Sequence, residues 1–450
     1  MSGAPEWRAP DALDTILLVL FLAGIYLGIE IRLTATVPVP NVVAGTAGMV
    51  LLLKQLHRLD ERHVRAILFV LLLYLASICA ASDYGFLSKR FTGLVQLTYS
   101  FVICYAVFVT MLAYDRARLA RIFLLFTLGI IVGCALENYF APFRDLSNWF
   151  RDHVYSFGLY ESDARDELLY GRIRPKLFTS EPSAVSFGFT LFAFAWYVLS
   201  QRRWKLPLYG AFFAAAFYLM RGPTLVLGLV LVPAYEILLA AREPRAGGLG
   251  YNPARVTATV ALMIALLGAC LYLSRTLYAE RIDAIQSGAD PSFFARIVAP
   301  AVVARKTVEH YPIAGAGLTG EPFIADSIRQ TFERSADLAH DWNYGSSIHA
   351  LANYFWAHWI YLGVVWGVIL LIGLSFLLHE LGATSIAFCW IVWSVLGQAS
   401  GAYVSPKTWT VFFLGCALTI LHERERLFVR GRVRIEPRIL APHGALSDPG

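Results

Sequence analysis

Three cations, Arg172, Arg174 and Lys176, stand within five residues, and a carboxylate, Glu181, follows them at the mouth of an apolar run. Guanidinium groups hold phosphate oxygens through two parallel donors, so this group reads as an anion site. The competing reading is local: Ser180 or Glu181 caps a helix whose first position is Pro182, and the cations are simply solvated. Arg221 is a second anomaly. It lies between the apolar run 211–220 and Gly222-Pro223, a helix junction where a charge either serves a site or snorkels to lipid headgroups.

Further along, 292–310 is an amphipathic stretch carrying Arg296, Arg305 and Lys306, ended by Tyr311-Pro312-Ile313-Ala314-Gly315-Ala316-Gly317-Leu318. Arg296 and Arg305 are nine apart, which at ~100° per residue puts them on opposite helix faces. The Gly-x-Gly follows no strand, so it is not a dinucleotide fingerprint, and the local reading is a surface helix ended by a Pro/Gly turn. His349 and Asn353, four apart, share a helix face near a membrane boundary. A histidine there is a candidate general base or an interfacial hydrogen bonder. His358 lies deeper and reads as structural. His340-Asp341 lacks metal-ligand spacing, and no carboxylate cluster resembles a magnesium site.

The elements that must hold these groups are membrane helices. The chain of 450 residues is 57% hydrophobic and 16% charged, against the ~25% charge usual in soluble domains. Its apolar blocks approach the ~20 residues that cross a ~30 Å hydrocarbon core. They predict about twelve spans, at 13–29, 37–53, 66–81, 91–113, 119–139, 183–200, 206–220, 224–240, 256–274, 349–378, 383–398 and 407–421. The six cysteines fall inside apolar blocks, so no disulfide framework is expected.

Orientation follows from the basic residues. One set of loops carries Lys54, Arg58, Arg62, Arg65, Arg116, Arg118, Arg121, Arg202, Arg203, Lys205, Arg242, Arg245 and Arg255, whereas the alternate short loops hold only Arg32, Lys89, Arg90, Arg221 and Lys407. This predicts both termini in the cytoplasm and two long loops, 140–182 and 275–348, facing outward with short helices in them. The expectation is a single all-α membrane domain over 1–437 with a disordered tail at 438–450.

Four segments, in order, resemble the O-antigen polymerase and ligase superfamily of bacterial inner-membrane glycosyltransferases. Arg174 followed by Glu181-Pro182-Ser183 is similar to the Arg…Glu-Pro-Ser segment of the polymerases. Met220-Arg221-Gly222 resembles their Ser-Arg-Gly step. Arg296…Pro312-Ile313-Ala314-Gly315-Ala316-Gly317 resembles the Arg…Pro-x-x-Gly-x-Gly stretch of the large outer loop, and the tenth span resembles the helix that starts His-Asn and reaches a Gly about eleven residues later. The likeness covers 172–367. Two positions depart from it: Leu177 stands for a family Gly, and alignment on Gly363 puts Asn353 on the family Asn but Ala352 on its His, leaving His349 three residues earlier.

The resemblance implies transfer of oligosaccharide units from undecaprenyl diphosphate, at the periplasmic face of the inner membrane, with the lipid diphosphate as leaving group. Arg172, Arg174, Arg221 and Arg296 would hold the diphosphate, with Lys176 and Arg305 as further cations. His349 or Glu181 would act as base and Asn353 would orient the acceptor. Partners would be the lipid-linked oligosaccharide, the bilayer, and a chain-length regulator and flippase of the same pathway. No cofactor, metal or nucleic acid is expected. The displaced histidine and the Glu181-Pro182-Ser183 segment together favour polymerase over ligase. A twelve-span transporter or flippase is the alternative from another class; it would show paired interrupted helices with ionisable groups at midplane.

Overall fold

The computed structural model describes residues 10–34, 37–156, 159–161, 163–245, 248–251, 293–333 and 352–429, with isolated positions between 253 and 290. Apolar runs become helices where short polar residues cap their exposed amides. Asp11, Asp60, Asp115 and Ser385 each accept a first-turn N–H, a contribution of ~1 kcal/mol apiece. The helices are α1 (Ala12–Leu27), α2 (Val42–Lys54), α3 (Glu61–Cys79), α4 (Leu87–Ala113), α5 (Arg116–Tyr139), α6 (Ala141–Val154), α7 (Asp163–Tyr170), α8 (Pro182–Leu199), α9 (Lys205–Met220) and α10 (Leu225–Tyr235). Further along the chain come α11 (Ala299–His310), α12 (Ala325–Glu333), α13 (Tyr354–Glu380), α14 (Ile386–Gly397) and α15 (Pro406–Val429).

Among these, α3, α4, α5, α8 and α13 are each long and apolar enough to cross a membrane, while α1, α2, α9, α10 and α14 are apolar but shorter. The protein is an all-α membrane protein. The predicted ninth span, 256–274, is described only in part, and the tail beyond 429 lies outside the described residues. Two antiparallel hairpins, Ile31–Thr34 with Val37–Val39 and Arg242–Arg245 with Gly248–Tyr251, were not legible among the apolar blocks. Both long segments expected between spans contain short helices, α6 and α7 in 140–182 and α11 and α12 in 275–348.

The core of the bundle is α8. Every residue from Val185 to Leu199 is buried, and a helix apolar on all sides belongs in the middle of a bundle. Helices α5 and α10 pack on it, while α1, α2, α4 and α15 form a neighbouring group and α3 packs against α13. At the Leu199 end of α8, Arg116 donates to the Leu199 and Val198 carbonyls at 2.7 Å each. Arg424 likewise donates to Leu112 and Tyr114, and Lys54 pairs with Asp11 and Asp14. Cations suit helix C-termini because the carbonyls there lack helical partners. The basic loops therefore gather at one end of the bundle, and Glu181, at the opposite end of α8, marks the other.

The tenth span does not run as predicted. The helix starts at Tyr354 rather than 349, because Asn353 takes an extended conformation (φ −150°) and caps it by accepting from Trp356 N at 3.2 Å. It is also interrupted at Gly363 (φ 63°, ψ −164°). The Pro/Gly segment 312–317, which reads in the sequence as a surface turn, docks into that break. Pro312 O accepts from Val364 N and Val365 N, Ile313 O from Trp366 N, and Ala316 N donates to Ile360 O at 2.8 Å. Backbone groups without partners are costly at membrane depth, and here the loop supplies them. Gly315 (φ 56°) is required in two ways: its backbone is left-handed, and a Cβ would fall 2.4 Å from Ile360 O.

Candidate functional site

At the Glu181 end of α8 lies a cavity of about 210 Å³. Arg174, Glu181 and Arg296 line it together with Tyr160, the Gly222-Pro223-Thr224 turn and Gln398. Three residues picked from sequence thus converge from segments 140–182 and 275–348. The volume is below the ~300–1,000 Å³ of a complete small-molecule pocket, so it suits a headgroup-sized anion rather than a whole oligosaccharide.

Pro182 takes the first turn of α8 as expected and Glu181 occupies the cap position, but its carboxylate makes no bond to the helix amides. The local capping reading is thereby corrected. The side chain turns outward instead: Oε2 accepts from Arg296 Nη2 at 2.7 Å, and Oε1 accepts from the Ser183 hydroxyl. Burial raises the carboxyl pKa, but the Arg296 guanidinium, the Ser183 hydroxyl and Lys407 together outweigh it and hold Glu181 below the usual carboxylate range. At neutral pH it is an anion.

Arg174 is not a bare cation. Its Nε and Nη2 contact Asp166 Oδ1 at 2.9 and 2.8 Å, and its guanidinium stacks over the Tyr170 ring at 4.3 Å. Tyr160 donates to the same carboxylate oxygen at 2.6 Å. The Asp166 side chain is only 1% exposed, so this pair is a fixed, oriented guanidinium at the cavity wall. Arg221 ends α9 in a left-handed conformation (φ 47°) and donates from Nη1 to the Tyr170 carbonyl. The tight turn expected at 221–223 is present, and its Gly222 permits close approach, since a Cβ there would meet Ser186 Oγ at 2.0 Å. Arg172 stacks over Tyr218 at 5.0 Å, beside Tyr139. Arg172 and Arg221 thus form a second cationic group, which flanks the cavity rather than lining it.

The remaining assignments change. Lys176 is buried and paired with Asp163 at 2.6 Å, so its charge is already spent on the loop. Its backbone N–H and that of Leu177 both donate to Glu137 of α5, at 2.9 and 2.6 Å, which closes the loop onto the bundle. Leu177, the departure from glycine, sits at φ 36° with Phe178 at φ 63°. The left-handed strain is offset by burial, because the Leu177 side chain fills the space that Gly133 leaves open. Arg305 is exposed and paired with Glu309 in the next helical turn. The opposite-face argument separating it from Arg296 holds, and it takes no part in the cavity. Asn353 is no free acceptor-binding amide: its Nδ2 donates to Arg296 O at 2.9 Å and Gln398 Oε1 at 3.0 Å. It positions Arg296 and caps α13. His349 and His340 lie outside the described residues.

His358 is a satisfied structural residue. Nε2 lies 3.0 Å from Gly367 O, so it carries the proton, and Nδ1 accepts from Tyr403 OH at 2.8 Å. Sequence reasoning missed Asp166, Gln398 and Lys407. Lys407, whose ammonium lies 4.3 Å over the Phe187 ring, acts on Glu181 from the start of α15. The signal for Lys407 was present: like Arg221, it is a basic residue in a loop on the sparsely basic side. Compared with protein-family models and with curated proteins, the sequence matches none.

Proposed function

We propose that the cavity binds the diphosphate of a polyprenyl-diphosphate-linked oligosaccharide, and that the protein is a polymerase joining such units at the outer face of the inner membrane. The observation that carries this reading is the convergence of Arg174, Arg296 and Glu181 on one headgroup-sized cavity, with Lys407 acting on Glu181 beside it. The diphosphate would take Arg296 from Glu181, because a phosphate oxygen and a carboxylate compete for the same donors. An acceptor-sugar hydroxyl then attacks the anomeric carbon of the donor. The bond from that carbon to the phosphate oxygen breaks, and the lipid diphosphate leaves with the electron pair, its charge held by Arg296 and the Asp166-oriented Arg174. The hydroxyl proton passes to Glu181, whose basicity rises once Arg296 has turned to phosphate. Undecaprenyl is the carrier that the family resemblance implies, and a chain-length regulator and a flippase are the partners.

A second reading as a transporter draws on the interruption of α13 at Gly363, near which the Glu321 carboxylate accepts from Tyr361 OH and burial raises its pKa. The two readings differ in product. In a strain lacking the gene, loss of a polymerase leaves surface lipid bearing single repeat units, loss of a ligase leaves none, and loss of a flippase traps lipid-linked units inside. Purified protein given only the lipid-linked repeat should lengthen it. Transport of the repeat across vesicles without lengthening would establish the transporter instead.

A further inference from the structure

On the other end of the bundle, α3 and α13 flank an open groove of about 770 Å³. Its wall is a stripe at helical spacing on each side, running from Arg62 to Leu73 on α3 and from Ile369 to Glu380 on α13. Each stripe spans eleven positions, ~16 Å of helix, which matches the ~15 Å depth of one leaflet. The inner end is closed where α13 meets α3, since a Cβ on Gly373 would meet Leu73 Cδ1 at 2.6 Å. The walls are apolar, with exposed Phe69 and Phe376 rings 5.9 Å apart.

The polar end carries Arg62, Arg65 and Glu380. Arg65 is 3.6 Å from Glu61, whereas Arg62 and Glu380 form no ion pair among the described residues. Glu380 ends α13, where the helix dipole disfavours an anion. A cation beside it would offset that. Two guanidinium groups and a carboxylate at the mouth of an apolar slot one leaflet deep complement a headgroup bearing a phosphate and a primary ammonium.

The geometry points to this groove as a binding site for a zwitterionic diacyl phospholipid of the phosphatidylethanolamine type. Its acyl chains lie between α3 and α13, its phosphate sits on Arg62 and Arg65, and its ammonium sits on Glu380. The site lies in the leaflet on the side of the basic loops and is independent of the chemistry proposed at Glu181. Lipid that merely surrounds the bundle would not respond to these three side chains.

Full-length protein purified in detergent and given equimolar dioleoyl phosphatidylethanolamine and dioleoyl phosphatidylglycerol tests the assignment by native mass spectrometry. Wild type is expected to retain the ethanolamine lipid preferentially. Glu380→Gln should shift the retained ratio toward the glycerol lipid by about tenfold, the size of one charge-assisted hydrogen bond. The Arg62→Gln/Arg65→Gln variant removes two such donors and should lose about a hundredfold of both lipids by the same reasoning. Wild-type preference for the glycerol lipid, an unchanged ratio in Glu380→Gln, or a lipid-free dimer joined through this face would each overturn the proposal.

Discussion

Glu181 Oε2 and Arg296 Nη2 lie 2.7 Å apart although 115 positions separate them in the chain. That bond joins segments 140–182 and 275–348 over the mouth of α8. It also neutralises an arginine that the proposed diphosphate would claim, so on that proposal Glu181 holds the place of a phosphate oxygen.

Removing either guanidinium at the cavity should abolish polymer at near-normal protein levels. Arg296→Ala and Arg174→Ala are expected to lower the rate of chain extension about 10²–10³-fold, as for loss of one donor to a developing anion. Lys at either position should rescue poorly, because an ammonium lacks the paired planar donors. Extension assays with lipid-linked donor read this, and full activity of both Lys variants would reduce the site to general charge.

The Glu181–Arg296 pair predicts a pH signature in stability. A carboxyl held below its usual range stabilises the fold above its unfolded pKa, and that contribution disappears as pH falls through the folded value. With side chains 39% and 24% exposed, the pair is worth only ~0.2–1 kcal/mol. Glu181→Gln should therefore unfold slightly earlier than wild type at neutral pH, and the gap should close as pH falls below the ordinary glutamate range and through the lower folded value. Detergent-phase thermal unfolding across pH measures the gap; a constant gap would refute the ion pair as its source.

Asn353 tests positioning. Asn353→Ala loses two bonds from Nδ2 and the helix cap, at ~1 kcal/mol each. Asn353→Asp keeps the cap but sets a carboxylate against the Arg296 and Gln398 oxygens. Both variants should weaken donor binding through Arg296. A KM for lipid-linked donor that is unchanged in a folded Asn353→Asp protein would separate the cap from the site.

Gly363 should tolerate no side chain. Its φ is 63°, and a Cβ would meet Pro312 O at 2.7 Å, so Gly363→Ala is expected to cost about 2–4 kcal/mol. Gly129 is the control: a Cβ there meets nothing within 4 Å, and Ala in a helix interior gains ~0.5–1 kcal/mol over Gly. Unfolding midpoints of the two variants should move in opposite directions.

Orientation is checked by labelling. Cysteine at Asp145, exposed on α6, should react with an impermeant thiol reagent in spheroplasts, and cysteine at Arg203, exposed in a basic loop, should not. The reverse pattern would turn the site toward the cytoplasm and remove the proposed substrate.

The sequence by itself determined that apolar helices build this protein, because apolar length is a local property, but not their exact ends, since the tenth begins at Tyr354 rather than 349. It also singled out Arg174, Glu181, Arg221 and Arg296, since charges beside apolar runs are conspicuous one residue at a time. Only the tertiary structure decided which of these meet. Lys176 and Arg305 resemble their neighbours in type but are spent on Asp163 and Glu309, while Lys407 and Asp166 arrive from distant or unremarkable stretches. The docking of Pro312–Ala316 into the break at Gly363 was equally illegible, because it consists of backbone hydrogen bonds, and these carry no side-chain signature. Pairing between remote groups depends on loop paths, and loop paths follow from packing rather than from any local run of residues.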